Sequence, residues 1–211
     1  MDSLMTKPNF DIASIDWSKS DGLVPAVVQD ARTLRVLMLG YVNPEALRKT
    51  LETGLVTFYS RTKQRLWQKG ETSGHVLNLR DIKIDCDNDT LLMLVDPVGP
   101  TCHNGTTSCF GDEFPPSLAT LAELAAVIHQ RRMNPESGSY TAKLFADGLT
   151  RIAQKVGEEG VETALAGATR APNLREEAAD LFYHLFVLLE ASDLDWMDVM
   201  KVLQGRADKK K

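Results

Sequence analysis

The chain has 211 residues, of which 43% are hydrophobic and 25% charged, with a formal net charge of −5. That length suits two domains of about 100 residues each, and the composition belongs to a folded chain rather than a disordered one. No apolar run reaches the roughly 18 residues of a membrane span, and no basic stripe marks a nucleic-acid surface, so neither membrane nor nucleic acid is an expected partner.

The amino terminus lacks the basic and apolar regions of a signal peptide, and order in residues 1–10 is not readable. The first half then reads as β-rich. Residues 24–29, 36–41, 56–60, 76–79 and 91–95 are short apolar or alternating runs, separated by turn residues such as Asp21-Gly22, Thr53-Gly54 and Asp96-Pro97. A helix is predicted over 44–53, with Asn43 as its N-cap and Pro44 at the first helical position. Residues 1–111 are thus expected to form an α+β domain with a mainly antiparallel sheet. A short, stiff, proline-bearing linker follows at 112–117, and residues 118–211 read as an all-α helical bundle. There Thr120 and Glu123 suggest a capping box for a helix ending about Met133. Ser137-Gly138-Ser139 punctuates, and one long helical pattern spans 140–168. Asn173 and Glu176 suggest a second capping box for 174–190, and Asp195 begins a last helix that ends near Gly205. Four helices make a small bundle, or a half that dimerises. The basic tail Lys209-Lys210-Lys211 reads as solvated.

Two stretches carry most of the chemistry: Asp85-Cys86-Asp87-Asn88-Asp89, and Cys102-His103-Asn104-Gly105-Thr106-Thr107-Ser108-Cys109. On an extended segment Asp85, Asp87 and Asp89 share one face, with Cys86 and Asn88 on the other. Three crowded carboxylates call for a cation; oxygen ligands suit Mg²⁺, thiolates suit Zn²⁺. The plainer alternative is a solvated acidic turn beside small buried cysteines. All three cysteines lie in these stretches, and an odd number fits a reducing compartment, the cytoplasm, better than a disulfide framework.

The second half has its own carboxylate pattern. Glu158, Glu159 and Glu162 share helical spacing, and Glu177 and Asp180 repeat it on the next helix. Two antiparallel helices presenting E-x-x-[ED] can surround Mg²⁺ with oxygens, while Lys155, one turn before Glu159, steadies a phosphate or a carboxylate. A solvated acidic face is the alternative. Gly157 and Gly160 inside this helix cost about 1 kcal/mol each relative to alanine, which suits a close approach by a ligand or a backbone.

The chain resembles the bifunctional histidine-biosynthesis enzymes that join phosphoribosyl-AMP cyclohydrolase to phosphoribosyl-ATP pyrophosphatase. The likeness covers nearly the whole chain. It rests on Gly40-Tyr41-Val42-Asn43-Pro44-Glu45-Ala46-Leu47, Phe58-Tyr59-Ser60-Arg61 and 66–75 (LWQKGETSGH), together with the aspartate and cysteine stretches. In the second half it rests on Tyr140-Thr141-Ala142-Lys143-Leu144-Phe145, Lys155-Val156-Gly157-Glu158-Glu159 and Glu177-Ala178-Ala179-Asp180. The acidic helix pattern by itself is shared with other MazG-like all-α nucleotide pyrophosphohydrolases.

The resemblance implies two successive hydrolyses of phosphoribosyl nucleotides, the C-terminal domain acting first. That domain would cleave phosphoribosyl-ATP to phosphoribosyl-AMP and pyrophosphate, with Mg²⁺ on Glu158, Glu159, Glu162, Glu177 and Asp180, and with Glu159 also among the catalytic groups. The N-terminal domain would open the adenine ring between N1 and C6 with Zn²⁺-activated water. Cys86 of one subunit and Cys102 and Cys109 of the other would hold the Zn²⁺, making the active form a homodimer. Asp85, Asp87 and Asp89 would hold Mg²⁺, and His75 and His103 are proton-transfer candidates. Arg61, Arg65 and Lys69 form a basic cluster suited to substrate phosphate, to which Lys143 and Lys155 add in the second domain. Trp67 either stacks on a base or belongs to a core, and His129 and His184 read as packing or surface residues. Gly40 is a small variation with no evident catalytic consequence. Two other readings stay open: a general nucleotide pyrophosphohydrolase with a zinc-stapled dimerisation module, and a metal-stabilised scaffold. A fourth zinc ligand from His103 would favour a structural site.

Overall fold

Strand β1 (Val24–Asp30) alternates buried and half-buried positions along its whole length, the period of a strand with one face in a core. It is the organising strand of a computed structural model that describes residues 8, 10–113, 115–136 and 138–208. Phe114 of the linker, Ser137, the first seven residues, Asn9 and the basic tail 209–211 lie outside the described residues. The chain divides into two compact units, Met1–Ala119 and Thr120–Lys211. No described helix is long and apolar enough to cross a membrane.

In the first unit β1 pairs antiparallel with β2 (Val36–Val42) and parallel with β6 (Leu91–Pro97), which pairs antiparallel with β5 (Leu77–Ile84). The sheet order is β2-β1-β6-β5, and β3 (Thr57–Ser60) with β4 (Arg65–Gln68) forms a separate hairpin. The hairpin is tied to β5 by a bridge between Leu55 and Asn78. Strand β4 escapes a sequence reading because it is four residues long with polar ends and pairs only with β3. Helix α1 (Pro44–Thr53) starts where expected: the Asn43 side chain accepts from the Ala46 amide at 2.8 Å, and Gly54 ends it at φ +76°. Val24, Val28, Leu37, Leu47, Phe58 and Met93 are among the fully buried side chains that the helix and sheet share.

The second unit holds α2 (Leu118–Met133), α3 (Tyr140–Asp147), α4 (Leu149–Thr169), α5 (Leu174–Ala191) and α6 (Trp196–Asp208). The long helix expected over 140–168 is therefore two helices. Gly148, at φ +87°, receives the end of α3 and starts α4. Apolar periodicity continues across this break, so only the glycine itself hints at it. Neither expected capping box stands. Helix α2 begins ahead of Thr120, where the Ser117 hydroxyl accepts from the Ala119 amide at 3.3 Å. Asn173 makes no side-chain cap; its amide donates to Glu177 Oε1 at 2.7 Å instead. The last helix runs past Gly205 to Asp208. Ile128, Leu144, Ile152, Phe186 and Val187 form the core of this unit, with Trp196 of α6 packed on Phe186 at 5.7 Å between ring centroids.

Two glycines give opposite forecasts. A Cβ at Gly40 on β2 would lie 2.4 Å from the Phe58 ring, so the position is closed by packing. A Cβ at Gly157 on α4 meets nothing within 4 Å, so the close approach expected there is not made by this chain, and at Gly160 only Leu181 comes near, at 4.0 Å. Gly40→Ala is expected to destabilise the first unit by about 1–3 kcal/mol. Gly157→Ala is expected to stabilise the second by up to about 1 kcal/mol. Urea midpoints of the two units in metal-free buffer check both signs.

Candidate active sites of the two units

The loop after β4 and the loop after β6 enclose a cavity of ≈ 420 Å³ lined by Lys69, His75, Thr101, Cys102, His103 and Cys109, among others. The first loop is closed by Gly70, at φ +84°, whose Cβ would sit 2.5 Å from the His75 backbone. That turn lets the buried Lys69 ammonium donate to the His75 carbonyl at 3.1 Å. The His75 ring lies against Gly99, where a Cβ would come within 2.8 Å.

The second loop is pinned to the sheet by Ser108. Its fully buried hydroxyl lies 2.8 Å from the Val36 carbonyl and 3.2 Å from that of Leu37, while the Cys109 amide donates to Leu37 at 2.8 Å. Cys102 and Cys109 are thereby brought into one cavity. The Asn104 amide, helped by Thr106, holds the Cys102 thiol below its ordinary value, whereas desolvation and the charge of Cys102 push Cys109 up. The two thiols are thus shifted in opposite directions, and a soft cation would stabilise both as thiolates. Burial pushes the Lys69 ammonium down, opposed by the charges of Cys109 and Cys102. His103 Nδ1 lies 3.9 Å from Cys102 Sγ. Thr101 also lines the cavity; its buried hydroxyl has no hydrogen-bond partner among the described residues.

The aspartates are not on a strand. β5 ends at Ile84, and residues 85–89 form a turn with Asn88 at φ +64°. Asp85 Oδ1 accepts from the amides of Asp89 and Thr90 at 3.0 and 3.1 Å, which curls the segment. The carboxylates converge all the same: one oxygen from each of Asp85, Asp87 and Asp89 lies within 4.8 Å of the others. Lys19 reaches this cluster, 2.9 Å from Asp87 Oδ2 and 3.4 Å from Asp89 Oδ2. Cys86 is exposed on the same turn. Among the described residues of one chain it forms no three-ligand group with Cys102 and Cys109. The basic residues are engaged in different places: Arg61 stacks on Tyr41 at 3.8 Å, Arg65 pairs with Glu71, and only Lys69 lines the cavity. Trp67 packs on Phe58 at 5.6 Å between ring centroids, against the core, and also lines the cavity.

In the second unit Glu159, Glu162 and Glu177 place an oxygen each within 4.8 Å of one another. Glu159 is 5% exposed and receives Lys155 at 2.7 Å. Lys155 holds Glu159 below the usual carboxylate range, while the charge of Glu159, then desolvation and Glu177, hold Glu162 above it. Glu158 is turned to Lys155 and Gln154, both at 2.8 Å, and stands outside the three-carboxylate group. Asp180 is exposed, also outside that group, and contributes its backbone carbonyl to His184. Lys143 is exposed on α3. The Thr163 hydroxyl joins the helices at this level, 2.7 Å from the Glu159 carbonyl and 3.0 Å from that of Glu177.

Residues 38–111 match the family model for phosphoribosyl-AMP cyclohydrolase, and 121–207 that for phosphoribosyl-ATP pyrophosphohydrolase. The histidine biosynthesis bifunctional protein HisIE of Salmonella typhimurium is 59% identical over 193 residues, which cover 91% of this chain and 95% of that protein. The HisIE proteins of Escherichia coli K12 and Vibrio cholerae are 58% and 57% identical over 193 and 195 residues, 91% of this chain in each case and 95% and 93% of theirs. The chain belongs to the HisIE family.

The two matches fall on the two units of this HisIE chain, one holding the thiol cavity and the other the carboxylate group. Three contributors were not legible as site residues. Ser108 acts through carbonyls more than 70 positions away, Lys19 lies 68 positions before Asp87, and His184, read as a packing or surface residue, is buried and lies beside Glu159. His129, by contrast, is exposed and paired with Glu190 at 2.9 Å. Ser108→Ala would strip the loop of its anchor and is expected to lower the stability of the first unit by about 1–3 kcal/mol. A urea midpoint unchanged from wild type would show that the Cys109 backbone contact suffices.

Proposed function

We propose that each unit supplies one metal-dependent hydrolysis of histidine biosynthesis, the second unit acting on phosphoribosyl-ATP and the first on the phosphoribosyl-AMP it releases. The carrying observation is that the first matched region brings two thiols, Cys102 and Cys109, into one cavity, and the second brings an oxygen of each of three glutamates within 4.8 Å of one another. The chain is a bifunctional HisIE hydrolase, a phosphoribosyl-ATP pyrophosphohydrolase joined to a phosphoribosyl-AMP cyclohydrolase. Its three free thiols suit a reducing compartment, and the cytoplasm is the location we infer.

In the second unit the donors are all carboxylate oxygens, and Glu162 is held above its usual range by its neighbours, so a divalent cation relieves a repulsion already present. Glu159, Glu162 and Glu177 would hold Mg²⁺, with Glu158 and Asp180 at its margin. A Mg²⁺ ion held there would offset charge on the departing pyrophosphate. Lys155 fixes one oxygen of Glu159, and that carboxylate would bind the cation or orient the attacking water. Water would cleave the α–β phosphoanhydride, giving phosphoribosyl-AMP and pyrophosphate, with its proton passing to a carboxylate or to solvent.

In the first unit Cys102 and Cys109 would be joined by Cys86 of a second copy to hold Zn²⁺. The exposed position of Cys86 and the convergence of the other two thiols support that sharing. Bound Zn²⁺ lowers the pKa of a coordinated water toward 7. Asp85, Asp87 and Asp89 would hold Mg²⁺ in exchange for the Lys19 ammonium, near where substrate phosphate docks. His103, beside Cys102, and His75, against Gly99, would move the proton from water to N1 as the water oxygen bonds to C6 and the N1–C6 bond breaks. Lys69 offers its buried ammonium to the substrate.

Purified protein given phosphoribosyl-ATP, Mg²⁺ and Zn²⁺ is expected to release pyrophosphate and then the ring-opened product. Cys102→Ala should release pyrophosphate normally and stall at phosphoribosyl-AMP. Glu159→Gln should slow pyrophosphate release by about 100-fold or more. Pyrophosphate from many unrelated nucleotides with no ring opening would instead identify a general pyrophosphohydrolase with a structural zinc module. The sharing of thiols has its own test. Mixed and re-equilibrated Cys86→Ala and Cys102→Ala proteins should regain about a quarter of wild-type ring opening, since half the dimers are mixed and each has one intact site. No recovery after verified subunit exchange would place all three thiols of a site in one chain.

A further inference from the structure

His184 lies on α5 one turn after Asp180 and is 5% exposed. Its Nδ1 is 2.9 Å from the Asp180 carbonyl oxygen, and its Nε2 is 3.2 Å from the Tyr140 hydroxyl. A carbonyl only accepts, so Nδ1 carries a hydrogen whatever the charge on the ring. The two contacts hold both ends of the imidazole, one from its own helix and one from the first residue of α3. Tyr140 and Tyr183 flank it edge-on, with centroids 6.1 and 5.0 Å away. The ring is therefore fixed in plane and in rotamer.

What that fixed edge meets is Glu159. Nδ1 lies 3.7 Å from Glu159 Oε1, the same oxygen that receives Lys155 at 2.7 Å. One carboxylate oxygen is thus bracketed by two nitrogens from two helices, and Glu162 and Glu177 lie beside the same carboxylate. We propose that His184 is a positioning residue for the carboxylate centre: oriented by Asp180 and Tyr140, with its Nδ1 hydrogen on the Asp180 carbonyl, its imidazole packs 3.7 Å from the Glu159 oxygen that Lys155 engages and limits how that carboxylate can turn, so that Glu159 stays presented to a divalent cation. The inference rests on the Mg²⁺ reading of that centre given above. A residue with this task sets metal affinity more than the rate at saturating metal, because it orders a ligand rather than touching the reacting phosphate. Changes of such partners typically cost 10–100-fold in affinity.

The test uses the full chain and Mn²⁺ alone as probe, counting free Mn²⁺ by electron paramagnetic resonance. The site that disappears in Glu159→Gln defines the centre. His184→Gln places its amide where Nε2 was and leaves the Nδ1 position empty, whereas His184→Asn keeps a donor near Nδ1. His184→Gln is expected to weaken that Mn²⁺ site by about 10–100-fold and to raise the half-saturating Mg²⁺ for pyrophosphate release by the same factor, with kcat at saturating Mg²⁺ within a few-fold of wild type. His184→Asn should restore most of the affinity, and Tyr140→Phe, which frees only the far end of the ring, should weaken the site by a few-fold. Should His184→Gln fail to fold, an unchanged Mn²⁺ affinity in Tyr140→Phe together with a His184→Asn defect limited to thermal midpoint would overturn the positioning role. A folded His184→Gln with wild-type Mn²⁺ affinity overturns it directly. If Glu159→Gln removes no Mn²⁺ site at all, the metal centre itself is wrong, a failure distinct from that of His184.

Discussion

A carboxylate that is 5% exposed has to be compensated, and the second unit is arranged around that need at Glu159. Lys155 arrives from one turn earlier on the same helix and His184 from α5, so the compensation is also what registers α4 against α5. The Thr163 hydroxyl strengthens the register by meeting carbonyls of both helices at the same level. Glu162 and Glu177 lie beside the Glu159 carboxylate, and the charge of Glu159, then desolvation and Glu177, hold Glu162 above its usual range. Helix propensity alone would not choose this arrangement, since two glycines lie within the acidic turn of α4. Packing of Ile152 and Val187 beneath it does.

The first unit meets a related constraint by other means. Its carboxylates sit on an exposed turn and its thiols on a loop, so helices do not set the geometry; backbone hydrogen bonds do. Asp85 folds the turn by accepting two amides, and Ser108 fastens the cysteine loop to β2. The sheet below is a rigid base in which β1 is paired on both sides, one of them parallel. Loops on such a base can be shaped by polar contacts because the apolar core is already complete without them.

The sequence made legible whatever depends on local pattern. Five strands, the Asn43 cap and the division into a sheet unit and a helical unit follow from periodicity and turn residues that act within a few positions. Three of the five carboxylates expected in the second unit do converge, because helical spacing dictates which residues share a face. The failures have a common cause. A DxDxD stretch read as a strand has the right residues and the wrong backbone, since side-chain acceptors of Asp85 compete with the ladder and win. The Asn173 box is lost because its side chain donates to Glu177 and accepts no amide of the first turn. Gly148 divides one apolar pattern into two helices without interrupting it. The roles of Lys19, Ser108 and His184 depend on neighbours distant in sequence, which no window of local pattern contains.

Both acidic centres hold a lysine, and the difference between the two lysines bears on how each would take a cation. Lys155 is largely buried and bridges Glu158 and Glu159 at 2.8 and 2.7 Å, which raises its own pKa further. Displacing it would leave buried charge uncompensated, so it belongs to the centre whether a cation is present or not. Lys19 is more than a third exposed, as is Asp87 beneath it, and water is ready to take over either partner. Exposed ion pairs of this kind are held weakly, so a divalent ion entering the aspartate turn has only a solvated ammonium to replace. The first unit's carboxylates would then exchange counter-ions with little rearrangement, whereas those of the second would gain a cation in addition to the lysine already there. That contrast follows from burial alone, and it explains why one acidic site can be built on a turn while the other needs two helices to hold it.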